Sequence, residues 1–145
     1  MVGAPVCNRL DVPVRLIAGG STNLGHFCGQ KLVVFFCPAE DKAAADEIRA
    51  YERLAPEFEH RGAWVVGILD KPGREAHEKS SPHINLGVDP DGTAFRQLAG
   101  GLPAGARPER ASGATFIVGR DGAIHHAWPR GGHAAEALEG VRERP

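Results

Sequence analysis

Residues 31–50 read KLVVFFCPAEDKAAADEIRA, a buried strand that runs straight into a helix. Lys31 precedes five apolar residues and then Cys37. An unbroken β-branched and aromatic run of this length is what a central parallel strand covered on both faces requires. Pro38 ends it, because proline has no N–H for the sheet ladder and holds Cys37 extended. Glu40 and Asp41 then fall in the first helical turn, where carboxylates complement the positive end of the helix dipole, and Ala-rich sequence carries the helix to His60. In open α/β sheets ligands gather beyond the carboxyl ends of the strands, so residues 37–45 are the first place to look for chemistry.

Residues 60–63 are a helix stop with Gly62 beyond the last turn, and residues 64–69, WVVGIL, are a second buried strand. The two strands and their helix make a βαβ unit, which sets them parallel. Residues 70–73 are turn chemistry, 74–79 are long enough for a short helix, and 84–88 form a brief strand closed by Asp89-Pro90-Asp91-Gly92. A short helix over 93–98 and a Gly/Pro-rich loop over 100–112 follow. Strands at 115–118 and 123–128 flank Arg120-Asp121-Gly122, and Asp-Gly between two such runs is a strong hairpin signal. A helix over 133–142 completes the series. At the other end, residues 12–17, punctuated afterwards by Gly19-Gly20, Asn23 and Gly25, read as one or two short strands.

The formal charge of -1, with acidic and basic residues scattered through both halves, offers no surface for a polyanion and argues against nucleic acid as a partner. No charged leader precedes an apolar core, and no run approaches the roughly 20 apolar residues needed to cross a bilayer. The expectation is a soluble cytoplasmic protein, and 145 residues suit a single domain spanning 1–145. Three cysteines without repeated spacing, Cys7, Cys28 and Cys37, are not a secreted disulfide framework and read as thiols.

The stretch 31–50, together with residues 113–122, GATFIVGRDG, resembles the peroxiredoxins, the alkyl hydroperoxide reductase and thiol-specific antioxidant proteins, and in particular their bacterioferritin-comigratory branch. That family carries a strand ending in an aromatic pair, then Pro-x-x-x-Thr-x-x-Cys, whose cysteine attacks the peroxide. On that pattern Pro38 takes the proline, Lys42 the threonine and Ala45 the cysteine. The family's active-site arginine precedes a strand of the form Arg-x-Thr-Phe-hydrophobic-Ile-Asp-x-x-Gly. Gly113 stands at that arginine, with Arg110 three residues upstream as a displaced substitute cation. The resemblance covers nearly the whole chain, and its specific part is the scaffold rather than the chemistry. It implies a thioredoxin-like α/β fold, with a central mixed β-sheet, helices on both faces and an N-terminal β-hairpin ahead of Gly29-Gln30-Lys31. It further implies a bacterial antioxidant oxidoreductase without a cofactor, with a hydroperoxide or a small thiol-containing reductant as partner and a homodimer as assembly.

A peroxidatic cysteine must be a thiolate, which a helix N-terminus and a nearby cation favour. Lys42 could supply the cation, but Ala45 has no sulfur to activate, and Gly113 removes a donor for the developing oxyanion. The first functional expectation is therefore a peroxiredoxin-like protein with little or no peroxidase activity and a binding or regulatory role. The alternative is a thiol-dependent peroxidase or oxidoreductase acting through a displaced thiol, Cys37 first. Cys37 closes a buried run, and cysteine is among the most buried residue types, so a core residue flooring an empty pocket is the stronger reading of it. Dithiol exchange of the thioredoxin kind fails because residues 39–42 contain no sulfur. No metal is expected. His125 and His126 are neighbours on a strand and point to opposite faces, and His26 with Cys28 is no better placed. Glu40, Asp41 and Asp46 at the helix start are explained by capping and the dipole. Neither a phosphate-cradling glycine loop nor a hydrolase nucleophile elbow is present.

Overall fold

The structure is a computed structural model that describes residues 11–17, 19–27, 29–38, 42–71, 84–108, 114–128 and 134–143. Its seven strands are β1 (Pro13–Leu16), β2 (Ser21–Asn23), β3 (Lys31–Cys37), β4 (Ala63–Leu69), β5 (Asn85–Val88), β6 (Thr115–Val118) and β7 (Ile124–Trp128). They form one mixed sheet in the order β2-β1-β5-β4-β3-β6-β7. Among the described residues three α-helices accompany it, α1 (Lys42–His60), α2 (Thr93–Gly100) and α3 (Ala134–Glu143). This is the thioredoxin-like α/β arrangement, and β1 with β2 supplies the N-terminal hairpin.

β3 is central because it is apolar enough to be covered on every side. All seven of its residues are buried. It runs parallel to β4 from Lys31↔Ala63 to Cys37↔Leu69 and antiparallel to β6 from Leu32↔Val118 to Phe35↔Thr115. The two-residue period of a strand then sorts its side chains between two cores. Val33, Phe35 and Cys37 meet Tyr51, Ala55 and Phe58 of α1 and Ala137 and Val141 of α3. Leu32, Val34 and Phe36 meet Ala94, Leu98 and Ala99 of α2, together with Val14 and Leu24. Helices thus cover both faces, and each fully buried large side chain contributes about 1.5–3 kcal/mol. Gly67, opposite Phe35 in the register, is a packing requirement: a Cβ there would lie 2.5 Å from the Phe35 ring.

Lys31 opens β3 at only 7% exposure. Its ammonium donates to the Val141 carbonyl at 2.6 Å, tying the start of the central strand to the last turn of α3, where a cation is favoured by the dipole. Burial, and then Arg120 and Arg61 nearby, hold that ammonium below its ordinary lysine value.

Several details depart from the sequence expectations. α2 continues two residues past Leu98 because Leu98 and Ala99 are buried against the sheet, so packing carries it through Gly100. The loop after it contains a 3-10 turn, Ala104–Ala106. Asp46 lies in the second turn of α1 and pairs with Arg49 at 3.4 Å instead of capping the helix. α1 also accommodates Pro56 in its interior. The hairpin of β6 and β7 has a register shift, with Ile117↔His126 followed by Val118↔Ile124, which makes His125 the extra residue of a bulge. The short helix expected over 74–79 and the start of the expected helix at Glu40 and Asp41 lie outside the described residues.

Candidate functional site

β3, β4 and β5 are mutually parallel, so their carboxyl ends come together at one end of the sheet. A crevice of about 240 Å³ opens there, lined by Phe36, Cys37, Pro38, Ile68, Leu69, Asp70 and Asp89. This is where an open α/β sheet offers a ligand site. The sequence expectation for this location rested on a run of apolar residues followed by proline, and both line the crevice.

Strand β6 pairs with β3 as far as Phe35, toward this end. Thr115 is opposite Phe35 across the β3–β6 ladder, and the Phe36 amide donates to the Ala114 carbonyl at 2.8 Å. Ala114 therefore lies beside the end of β3, and α1 runs from Lys42. Ala45 is partly buried in the first turns of α1. Gly113, Arg110 and residues 39–41 lie outside the described residues, as does the side chain of Lys42, and so do Cys7 and Cys28.

Cys37 is 3% exposed and belongs to the core beneath α1. Its surroundings were not legible as a site in the sequence. Tyr51, fully buried, stacks on Phe35 with ring centres 4.2 Å apart and planes 7° from parallel. Glu47, one helical turn earlier, is 7% exposed, and Thr115 is fully buried. The phenol of Tyr51 is pushed up from its ordinary value, first by burial and then by the Glu47 carboxylate, while the Thr115 side chain acts in the opposite direction. The signal was present as the i, i+4 spacing of Glu47 and Tyr51 on the face that continues through Ala55 and Phe58.

The carboxylates around the crevice have identifiable work. Both oxygens of Asp89 accept from the start of α2, Oδ1 from the Ala94 amide at 3.1 Å and Oδ2 from the Phe95 amide at 3.0 Å. The Asp89 amide donates to the Leu69 carbonyl at 2.8 Å, which joins the ends of β4 and β5. Asp91 accepts from the Thr93 amide at 3.2 Å, and that bond holds its carboxyl below the usual carboxylate range. These residues, read in the sequence only as a turn, satisfy the first amides of α2, whose N-cap position is Gly92. His125 faces Asp121 at 3.4 Å, and His126 packs edge-on against Trp128. Among the described residues no group of three or more His, Cys, Asp or Glu could hold a metal ion. No described helix is long and apolar enough to cross a membrane.

The model of the AhpC/TSA family matches residues 9–127. Among solved structures, the chain superposes on the Xanthomonas campestris bacterioferritin comigratory protein with a TM-score of 0.76 at 23% identity, covering 98% of this chain and 97% of that one. The Xanthomonas protein has alkyl peroxide reduction activity. The peroxidoxin BcpB of Mycobacterium tuberculosis superposes with a TM-score of 0.70 at 22% identity, covering 92% of this chain and 96% of that one. A peroxiredoxin Q mutant of Xylella fastidiosa gives 0.72 at 21% identity, covering 99% and 96%. No curated protein matches the sequence.

Proposed function

The chain belongs to the AhpC/TSA family, and we propose that it is a member that has kept the peroxiredoxin scaffold without the peroxidatic cysteine, acting by binding or regulation rather than by turning over peroxide. Ala45 stands at the family's nucleophile, Lys42 at its threonine and Gly113 at its arginine. The observation that carries this reading is the placement of Cys37. The sulfur closest in sequence to the family's proline is 3% exposed and packed with the residues under α1. The crevice at the strand ends is of a size for a small hydroperoxide or thiol, held without reaction.

One observation favours the alternative of a displaced thiol: Cys37 is among the residues lining the crevice. Mild peroxide treatment of the folded protein, followed by trapping of sulfenic acid and mass spectrometry, separates the readings. Loss of peroxidatic function predicts Cys37 unmodified until the chain is unfolded. Stoichiometric sulfenic acid at Cys37 in the folded protein would favour the displaced-thiol enzyme.

A further inference from the structure

Positive charge is scattered along the sequence, yet the fold gathers three cations at one place. Lys31 opens β3, and its amide donates to the Gly62 carbonyl at 3.3 Å, which sets Arg61, just past the end of α1, beside the start of the central strand. Two residues before Lys31, the Gly29 amide donates to the Arg120 carbonyl at 2.8 Å, which brings the turn between β6 and β7 to the same place. Positions 31, 61 and 120 therefore meet at the amino ends of β3 and β4, at the other end of the sheet from the crevice.

The Lys31 ammonium is buried, and the Val141 carbonyl takes one of its three donors. The two side-chain charges that act on it, Arg120 and Arg61, are both of its own sign. Neither guanidinium has found the partner such a group ordinarily takes. Asp121, next in sequence to Arg120, accepts instead from the Ala123 amide and faces His125. Arg49 pairs with Asp46, and Arg96 and Arg107 donate to backbone carbonyls, whereas among the described residues no carboxylate lies within ion-pair distance of Arg61 or Arg120. The Nε of Arg61 is moreover buried without an acceptor. A buried donor left unmet is costly, and three like charges in one place repel each other, so the arrangement as it stands lacks an anion.

We propose that this end of the sheet is a binding site for one small oxyanion of the phosphate type, held by the guanidiniums of Arg61 and Arg120 in the field of the buried Lys31 ammonium. A guanidinium presents a planar fork of N–H groups that matches two oxygens of such an anion, and two forks suit a tetrahedral dianion better than a carboxylate. The bound anion supplies the acceptor that the Arg61 Nε lacks and offsets the repulsion among the three cations. The formal charge of -1 over the whole chain makes this a local site and not a surface for a polyanion. Because its residues come from the start of β3, the end of α1 and the β6–β7 turn, occupancy joins three elements and stabilises the folded chain. The site is separate from the crevice, so the inference stands apart from the fate of the peroxide chemistry.

The test titrates the full chain with inorganic phosphate by isothermal calorimetry, at low salt and in a buffer free of other oxyanions. Saturable binding is expected, with sulfate competing and acetate at equal ionic strength failing to compete. The double substitution Arg61→Gln/Arg120→Gln should weaken binding about tenfold or more. Arg49→Gln/Arg53→Gln, which removes the same charge from exposed positions on α1, should leave it unchanged. A readout that needs no variant protein in the titration is the Nε–H resonance of Arg61 in arginine-labelled protein, which phosphate should shift in proportion to occupancy. Absence of saturable binding, equal affinity of the Arg61/Arg120 variant and the unaltered chain, an equal loss in the Arg49/Arg53 variant, competition by acetate as strong as by sulfate, or an Arg61 resonance indifferent to phosphate would each overturn the inference.

Discussion

Within a dozen residues the chain passes from 32–36, where side chains are packed on both faces of the sheet and the strand is paired on both sides, to 38–45, where the family's chemistry would stand. The first region depends on apolar volume and alternation, which many sequences satisfy. That tolerance is why a TM-score of 0.76 accompanies 23% identity with the Xanthomonas protein. The second region depends on a few atom groups, and at position 45, which the proposed reading assigns to the nucleophile, Ala45 supplies no sulfur. A scaffold degrades gradually with substitution, whereas a reaction is lost at single positions.

The largest expected effect strikes the first region. Phe35→Ala removes a fully buried ring that stacks on Tyr51 and fills the space over Gly67, and it should cost about 3–5 kcal/mol in urea unfolding. A loss below about 1 kcal/mol, on the scale of an ordinary surface substitution, would mean the strand body is no more constrained than the stretch after it.

Next in size is an attempt to rebuild the second region. Ala45→Cys alone should alkylate readily, because a thiol in the first turns of a helix near a cation ionises more easily than the roughly 8.5 of free cysteine. It should still reduce peroxide slowly, and adding Lys42→Thr and Gly113→Arg should raise the rate about a hundredfold, the usual worth of a restored oxyanion donor. Efficient turnover by the single variant, about 10⁴ M⁻¹s⁻¹ or more, would show a site already organised for catalysis, with Arg110 or Lys42 in the missing role.

The smallest effect lies where the two regions meet. Tyr51 is the sole tyrosine, and its folded-state pKa is raised above the ordinary value near 10. Stability from the neutral buried phenol is therefore fully present below about pH 10 and is lost as pH climbs toward the folded value. Ultraviolet titration should show no phenolate in the native protein until alkaline unfolding begins, and Tyr51→Phe should make the alkaline fall in melting temperature shallower. Native-state ionisation near pH 10 would place the phenol in contact with water and contradict its burial between the strand and α1.

The fold was legible because its determinants are local and repeated. The run at 32–37, the second run at 64–69 and Asp-Gly at 121–122 each fix an element through pattern alone, and right-handed connection rules assemble them. What stayed hidden depended on contacts across the sheet. Gly67 reads as a weak strand residue until Phe35 is seen over it, and Asp89 reads as a turn until the amides of Ala94 and Phe95 meet its carboxylate. Glu47 and Tyr51 were legible only as neighbours on one helix face, since their i, i+4 spacing does not say that the face is buried. The β7 bulge also escaped, because nothing in His125-His126 marks which of the two is the extra residue.

The most direct test of the central claim is peroxide consumption by the full chain in the presence of dithiothreitol or thioredoxin, compared between the unaltered protein and Cys37→Ser. A scaffold without its reaction predicts equal rates for the two, no faster than the free thiol reductant alone. Turnover above that background that disappears with Cys37→Ser would contradict it and make the buried thiol the working nucleophile.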